Sequence, residues 1–477
     1  MISPVLSAST PLFKHQDEAV RFVINRGGNA AIFHDCGLGK TRTAIEIFRR
    51  LRVQNPRLKM MVIAPLSLLN AAWACDIAKF SEFTVQDLHD NFCISEKPDV
   101  YLVNYETLIA DKKTKILESF IRNYEIFCVV DESSRLKNPK AKTTKTLLGL
   151  CDKFKYRVIM SGTPAPNGEH EYWAQMEFVR PGLLHPSFYA FRNTFFHLER
   201  NGKKLIQQGQ FMTRQMARDI FSKGWKYAIT PANRVQLMKR IAPVCHFAKK
   251  DECLDLPDQV DEIREVQLTA KQRVIYNEMK RELITEISGE VITAQAALTK
   301  LIKLREITSG FLMNAESEQI EIDGGNPKIN ELVNFVEEAG DQPTIVFANF
   351  HYEMRKIRDA LAPMGRVVTL YSETEDKNQS IRDFQEGRAR FLVCNAHSAS
   401  HGLTFVNSSL QIFFSLDFSW ETYHQAKARI HRAGQKKSCL YVHLIAKDTI
   451  DEEVFRVLQK KQSVQDAIYQ FLKVKHA

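Results

Sequence analysis

The chain has 477 residues, 44% of them hydrophobic and 26% charged, with a formal net charge of +10. That length predicts two or three domains of ordinary globular composition. No run of 18 apolar residues spans a bilayer, the N-terminal MISPVLSASTPLFKHQ lacks the charge-then-apolar order of a secretion signal, and nine cysteines without a C-x-x-C pair fit reduced thiols of a cytosolic setting rather than disulfides or zinc.

The first element along the chain is an apolar run, Ala30-Ala31-Ile32-Phe33, leading into HDCGLGKT at 34–41 and then a helical pattern from Thr43. Strand, glycine turn and helix start make the setting of a phosphate-binding loop, whose backbone N–H groups and helix N-terminus favour an anion. Gly37 and Gly39 permit the turn. Lys40 is placed to reach the β- and γ-phosphates of ATP, and the Thr41 hydroxyl to ligate Mg²⁺. His34 stands where the first glycine of G-x-x-x-x-G-K-[ST] belongs, a departure that points to helicase-like motors.

Buried strands are predicted at 60–65, 100–105, 126–131 and 157–160, separated by helical spacers, which is the pattern of a parallel α/β sheet. Lys40, Asp131 and Ser161 each fall just beyond a strand, at the edge where such sheets bind ligands. A strand-terminal Asp131 can hold Mg²⁺ through water, and the adjacent Glu132 can orient and deprotonate an attacking water.

From 166 to 250 the pattern turns aromatic, basic and mainly helical. Residues 201–250 contain eleven lysines and arginines against the single Asp219, so this window carries the entire net charge. Such concentration suggests a track for a polyanion. Asn201-Gly202 is a type I′ hairpin signal, with Lys203 and Lys204 at its tip. A long helical pattern follows from 268 to about 310, then a loop at 321–327. A second α/β unit has strands predicted at 344–347, 367–371, 389–394, 411–415 and 439–444. Near the C-terminus, QAKARIHRAGQ at 425–435 puts Arg429 and Arg432 three apart, expected on one helical face. Two guanidinium groups facing a γ-phosphate from the opposite domain would act as arginine fingers.

Together and in this order, these motifs resemble superfamily-two helicases, most closely Swi/Snf-type ATPases. The spellings DESSRLKNP at 131–139, LDLP at 254–257 and SWETYHQAKARIHRAGQ at 419–435 are similar to small prokaryotic and phage members. The resemblance runs from Phe13 to Glu453 and implies two RecA-like lobes with ATP in the cleft. It implies that Gln16 reads adenine, that Lys40 and Thr41 hold phosphate and Mg²⁺, and that Asp131 and Glu132 serve metal and water. Ser161, Gly162 and Thr163 would couple hydrolysis to DNA. Gly402 would lie at the interlobe motif, and Gln425, Arg429 and Arg432 would complete the site.

The expected divisions are an ATP-binding lobe at 1–165, a basic and mainly helical insertion with a hairpin at 166–255, a helical linker at 256–325 and a second lobe at 326–477. The expected function is an ATP-driven, DNA-stimulated motor on duplex or branched DNA. Its task would be fork remodelling or branch migration, in the cytoplasm of a bacterial or phage-infected cell, with the size favouring a monomer. A processive strand-separating helicase on DNA or RNA, and a slow ATP-gated DNA clamp, are the alternatives.

Overall fold

Residue parity along the strands decides the architecture. In a strand, successive side chains point to opposite faces, so a run that is apolar at every position must be covered on both. The computed structural model describes residues 11–89, 92–166, 168–200, 203–205, 226–289, 294–314, 316, 318–396 and 403–460. The chain divides into two units, with the boundary between Cys253 and Leu254.

The first unit is built on β1 (Asn29–His34), β2 (Lys59–Ala64), β3 (Val85–Asp87), β4 (Val100–Asn104), β5 (Ile126–Asp131) and β6 (Tyr156–Met160). A three-stranded antiparallel sheet follows, from β7 (Phe196–Arg200), β8 (Lys203–Leu205) and β9 (Lys226–Ile229), and then β10 (Cys245–Ala248). The main sheet is wholly parallel, in the order β10-β1-β6-β5-β2-β4-β3. Alternate residues feed two separate cores. Ala31, Met61, Ile63, Cys128 and Val130 enter one; Ala30, Ile32, Met60, Val62, Phe127 and Val129 enter the other. Helix α1 (Lys14–Ile24) and helix α2 (Lys40–Gln54) cover the second core with Val20, Val23, Ala44 and Phe48.

β10 emerges from the segment whose composition reads as a basic insertion and returns to the main sheet, Ala31 opposite Cys245 and His34 opposite Ala248. Only Cys245 and Ala248 of its four residues are buried, so no continuous apolar run marks it in the sequence. In the small sheet, Arg200 pairs with Lys203, the register of a hairpin with a two-residue connection, and Phe196 pairs with Ile229. Asn201 and Gly202 themselves lie outside the described residues.

The second unit opens on β11 (Gln259–Val266), continues through the helices Ala270–Gly289 and Ala294–Thr308 and the hairpin of β12 (Phe311–Met313) with β13 (Gln319–Glu321), and then forms β14 (Thr344–Ala348), β15 (Val367–Leu370), β16 (Phe391–Asn395), β17 (Leu410–Phe413) and β18 (Cys439–Ala446). Its main sheet is again wholly parallel, ordered β11-β18-β17-β14-β16-β15. Two cores flank it, with Ile345, Phe347, Leu392 and Cys394 on one face and Val346, Phe391, Val393 and Ile412 on the other. The chain is therefore α/β, with two parallel-sheet lobes. No described helix is long and apolar enough to cross a membrane.

Candidate active site

Parallel strands deliver their C-terminal ends to one edge of a sheet. In the first lobe the order β1-β6-β5 makes the segments after these three strands neighbours. β1 ends at His34, the chain turns through residues 35–39, and α2 begins at Lys40. Gly37 (φ 93°) and Gly39 (φ 71°) both take left-handed backbone, which an L side chain adopts only under strain. A Cβ on Gly39 would also run into Gln16 Nε2. Gln16 is buried and held at both ends. Its Oε1 accepts from the Phe13 N–H (3.0 Å), and its Nε2 donates to Leu38 O (3.3 Å) and Gly39 O (3.4 Å). His15 Nε2 lies 2.9 Å from Leu38 O. On the opposite side, the Asp35 N–H donates to Ala248 O (3.0 Å) and Asp35 Oδ2 accepts from the Lys250 N–H (3.0 Å), which ties the loop to the end of β10. The Lys40 ammonium donates to His34 O (3.0 Å) across the loop, and Thr41 sits half-buried on the first turn of α2.

His34, in the place of the expected glycine, is fully buried. Its Nε2 is 2.8 Å from His246 Nδ1, and its ring lies edge-on to His15. Burial pushes its pKa well below the usual histidine range, with the neighbouring His246, Lys40 and His15 adding in the same sense. The imidazole therefore stays neutral and acts as packing beneath the loop.

Asp131 ends β5. Its Oδ2 accepts from Trp73 Nε1 (2.9 Å) and its Oδ1 from the Glu132 N–H (2.9 Å). Burial raises the Asp131 pKa, and the Lys40 ammonium is the largest influence pulling it back. Lys40 and Asp131 thus share one electrostatic environment at the strand ends. Glu132 adopts φ 51°, one of only two non-glycine residues with positive φ among the described residues. Such strain persists only where surrounding bonds over-determine it. Here the Tyr105 hydroxyl donates to Asp131 O (2.7 Å) and Glu132 O (3.3 Å).

β6 ends at Met160, and the Ser161 hydroxyl accepts from the Thr163 N–H (3.1 Å). A Cβ at Gly162 would lie 2.7 Å from Cys36 Sγ and 3.3 Å from Cys36 N. Glycine here lets the two loops touch. Gly162→Ala should cut ATPase kcat/KM about tenfold, within the 1–3 kcal/mol that overpacking costs. Cys36→Ala on top of it should restore part of the loss, and steady-state phosphate release by the two variants checks both; full activity in Gly162→Ala would mean the loops do not act together. Ser161 and Thr163 are both buried.

In the second lobe, the helix Trp420–Lys427 stops before the arginines, which corrects the expectation that they share a helical face. Arg429 and Arg432 lie on the turns that follow. The Arg429 Nε donates to Gln425 O (2.8 Å), so its side chain caps a carbonyl that the helix end leaves over. Both guanidinium groups still converge, because Arg429 Nη1 (3.0 Å) and Arg432 Nη1 (2.9 Å) donate to the same Leu403 carbonyl. Gln425 is buried; Gly402, expected beside this point, lies outside the described residues. Lys203 and Lys204 occupy the first two positions of β8, opposite Arg200 and Glu199.

Family models match both lobes: an SNF2-related domain over residues 15–310 and a helicase conserved C-terminal domain over residues 327–434. The chain belongs to the SNF2-related family. It is a helicase-like ATPase with two parallel-sheet lobes. Among its relatives, putative protein p41 of Acyrthosiphon pisum secondary endosymbiont phage 1 is 25% identical over 92% of this chain and 94% of its own length. A Drosophila melanogaster SWI/SNF-related matrix-associated actin-dependent regulator of chromatin subfamily A-like protein 1 is 23% identical, and a Drosophila ananassae DNA repair and recombination protein RAD54-like is 24% identical. They match 95% and 98% of this chain, which spans only 55% and 64% of their own lengths. A solved Sulfolobus solfataricus SWI2/SNF2 ATPase core in complex with dsDNA is 23% identical, covering 97% of this chain and 94% of that one, with a TM-score of 0.44.

Three residues of this SNF2-related site carried little sequence signal. Trp73 and Tyr105 hold Asp131 and the strained Glu132 from elsewhere in the fold. Gln175 accepts from the Ser133 hydroxyl (2.8 Å) and donates to Pro164 O (2.6 Å), joining the loop after β5 to the loop after β6. A single buried glutamine in a hydrophobic helix is the faint cue that could have found it.

Proposed function

We propose that this ATPase is a motor that moves along double-stranded or branched DNA and that its task is fork remodelling or branch migration. The observation that carries the hydrolytic half is the strand order β1-β6-β5, which brings the segments holding Lys40, Asp131 and the strained Glu132 to one edge of the sheet. In this reading Gln16 fixes the adenine end of the site through the loop it already braces. Gly37, Gly39 and Lys40 cradle the phosphates of ATP. Glu132 takes the proton of the attacking water. Arg429, Arg432, Gln425 and the segment at Gly402 supply the second lobe's share, with Arg432 stabilising charge on the transferring phosphoryl group. Thr41 and Asp131 offer hard oxygen donors, which fit Mg²⁺. That ion, when bound, neutralises charge on the phosphate oxygens; and Asp131, buried beside one cation already, is the carboxylate a second positive charge would keep ionised. Ser161, Gly162 and Thr163, packed on the loop, are placed to pass its state to the rest of the lobe.

Three features support DNA as the track. The relatives include proteins named for DNA repair and recombination. The net charge of the chain is concentrated at 201–250. A hairpin, β7–β8, begins that stretch. Phosphate contacts of this kind are sequence-tolerant and salt-sensitive. The direct test is phosphate release with no DNA, with duplex, with a fork and with a four-way junction, alongside strand displacement on the same substrates. Stimulation by duplex or junction without net unwinding is expected; an ATPase indifferent to every DNA would overturn the reading.

The paired substitution Lys203→Ala with Lys204→Ala should impair fork and junction processing while leaving duplex-stimulated hydrolysis in place. Each lost phosphate contact should lower the salt slope of binding by about one unit. An unchanged slope with unchanged junction processing would reduce these lysines to solvated surface.

A further inference from the structure

The opposite edge of the first lobe's sheet holds a second concavity. A cavity of about 330 Å³ opens where β1 and β6 begin and where the chain enters β10, at the far ends of the strands from the nucleotide loop. Three arginines line it, Arg26, Arg157 and Arg180, together with Asn29. Its remaining walls are apolar, from Val179, Pro181, Pro243 and Val244.

The arginines are held in place yet keep donors in hand. Arg157 leaves only 12% of its side chain exposed; Nη1 donates to Cys151 O (2.6 Å), while Nε is buried with no hydrogen-bond partner. Arg26 stacks on the Phe22 ring, 3.5 Å from its centroid, and its Nε donates to Pro243 O. Arg180 is exposed, with no carboxylate partner among the described residues. The nearest acid, Asp152, is 3.7 Å from Arg157 Nη1 but is 87% exposed, where such pairs contribute little. Glu177, which accepts from the Gly182 N–H (2.8 Å), is a second carboxylate in this region. The C-terminus of the helix Tyr172–Val179 adds about half a negative charge, against three full positive charges.

We propose that this cavity binds a small phosphate-bearing anion. Guanidinium forks match phosphate oxygens, and three arginines lining one cavity outnumber the two carboxylates near it, which favours an anion as ligand. The concave shape with apolar walls suits a small ligand rather than a duplex, whose phosphates lie in rows. The volume leaves room beyond one phosphate group, so inorganic phosphates and nucleoside monophosphates share the required chemistry.

The test uses the full chain carrying Lys40→Ala, so that the nucleotide loop contributes little. Phosphate, pyrophosphate and AMP are titrated in turn by calorimetry, then repeated with Arg180→Ala, Arg26→Ala or Arg157→Met added. Saturable binding that weakens at least about tenfold with Arg180→Ala and with Arg26→Ala supports the site, since each lost charge-assisted hydrogen bond is worth that much. Arg157→Met is included only if its circular dichroism is native. Tighter AMP than pyrophosphate would name a nucleotide as the occupant, and the reverse order an inorganic phosphate. The proposal is overturned if none of the three probes saturates, if binding ignores Arg180 and Arg26, or if only a duplex oligonucleotide binds in an Arg180-dependent way.

Discussion

Glu132→Gln is expected to bind ATP within a few-fold of the wild type and to lose turnover by about 10²–10⁴-fold, the span that general-base catalysis contributes. The substitution is informative because the structure isolates the chemistry from the scaffold. The strained backbone at Glu132 is held by main-chain groups: its N–H donates to Asp131 Oδ1, and its carbonyl accepts from Tyr105. Glutamine keeps the size of the side chain and leaves both bonds intact, yet its amide cannot take a proton from water. Lys40→Ala should behave differently and weaken binding and turnover together, because the ammonium faces phosphate in ground and transition state alike. Single-turnover phosphate release and a fluorescent-nucleotide titration separate the two patterns. Near-normal hydrolysis by Glu132→Gln would remove Glu132 from the role of base.

That Glu132 could be named from the sequence follows from the strand before it. Ile126–Val130 is apolar at every position, so both faces are buried and the first carboxylate marks the strand end. Largely apolar, buried runs likewise mark β1, β2, β4 and the central strands of the second lobe. Legibility failed where burial is partial or the element is short. β11 alternates charge with apolar residues and leaves Val260 and Ile263 half exposed, as suits an edge strand, so it reads as linker although it pairs with β18 along its full length. β3 has three residues and β10 four. The bonds that shape the site were hidden for another reason. Trp73 to Asp131 and Gln175 to Ser133 join residues 58 and 42 positions apart, and no local period encodes such pairs. The helical face expected for Arg429 and Arg432 failed because spacing alone does not say where a helix stops; the Arg429 side chain itself helps end this one by taking a terminal carbonyl.

Arg432→Ala is expected to lower kcat by about 10³-fold or more with ATP affinity within a few-fold, the signature of a group that acts mainly in the transition state. The two arginines are not equivalent as targets. Arg429 is buried and holds both Gln425 O and Leu403 O, so its removal strips a helix end and a loop of their donor and is bound to disturb structure as well as chemistry. Arg432 is half-buried and donates to the Leu403 carbonyl, which keeps its Arg429 donor when Arg432 is lost. Arg432→Lys tests what kind of charge is needed. Reaching several phosphate oxygens at once demands a planar fork with fixed donors, and an ammonium offers one compact point charge instead. The lysine variant should therefore remain close to the alanine variant in kcat while matching the wild type in thermal unfolding. Full activity with lysine would mean that positive charge alone suffices. Equal losses in kcat and in melting temperature would make Arg432 a structural residue of the second lobe.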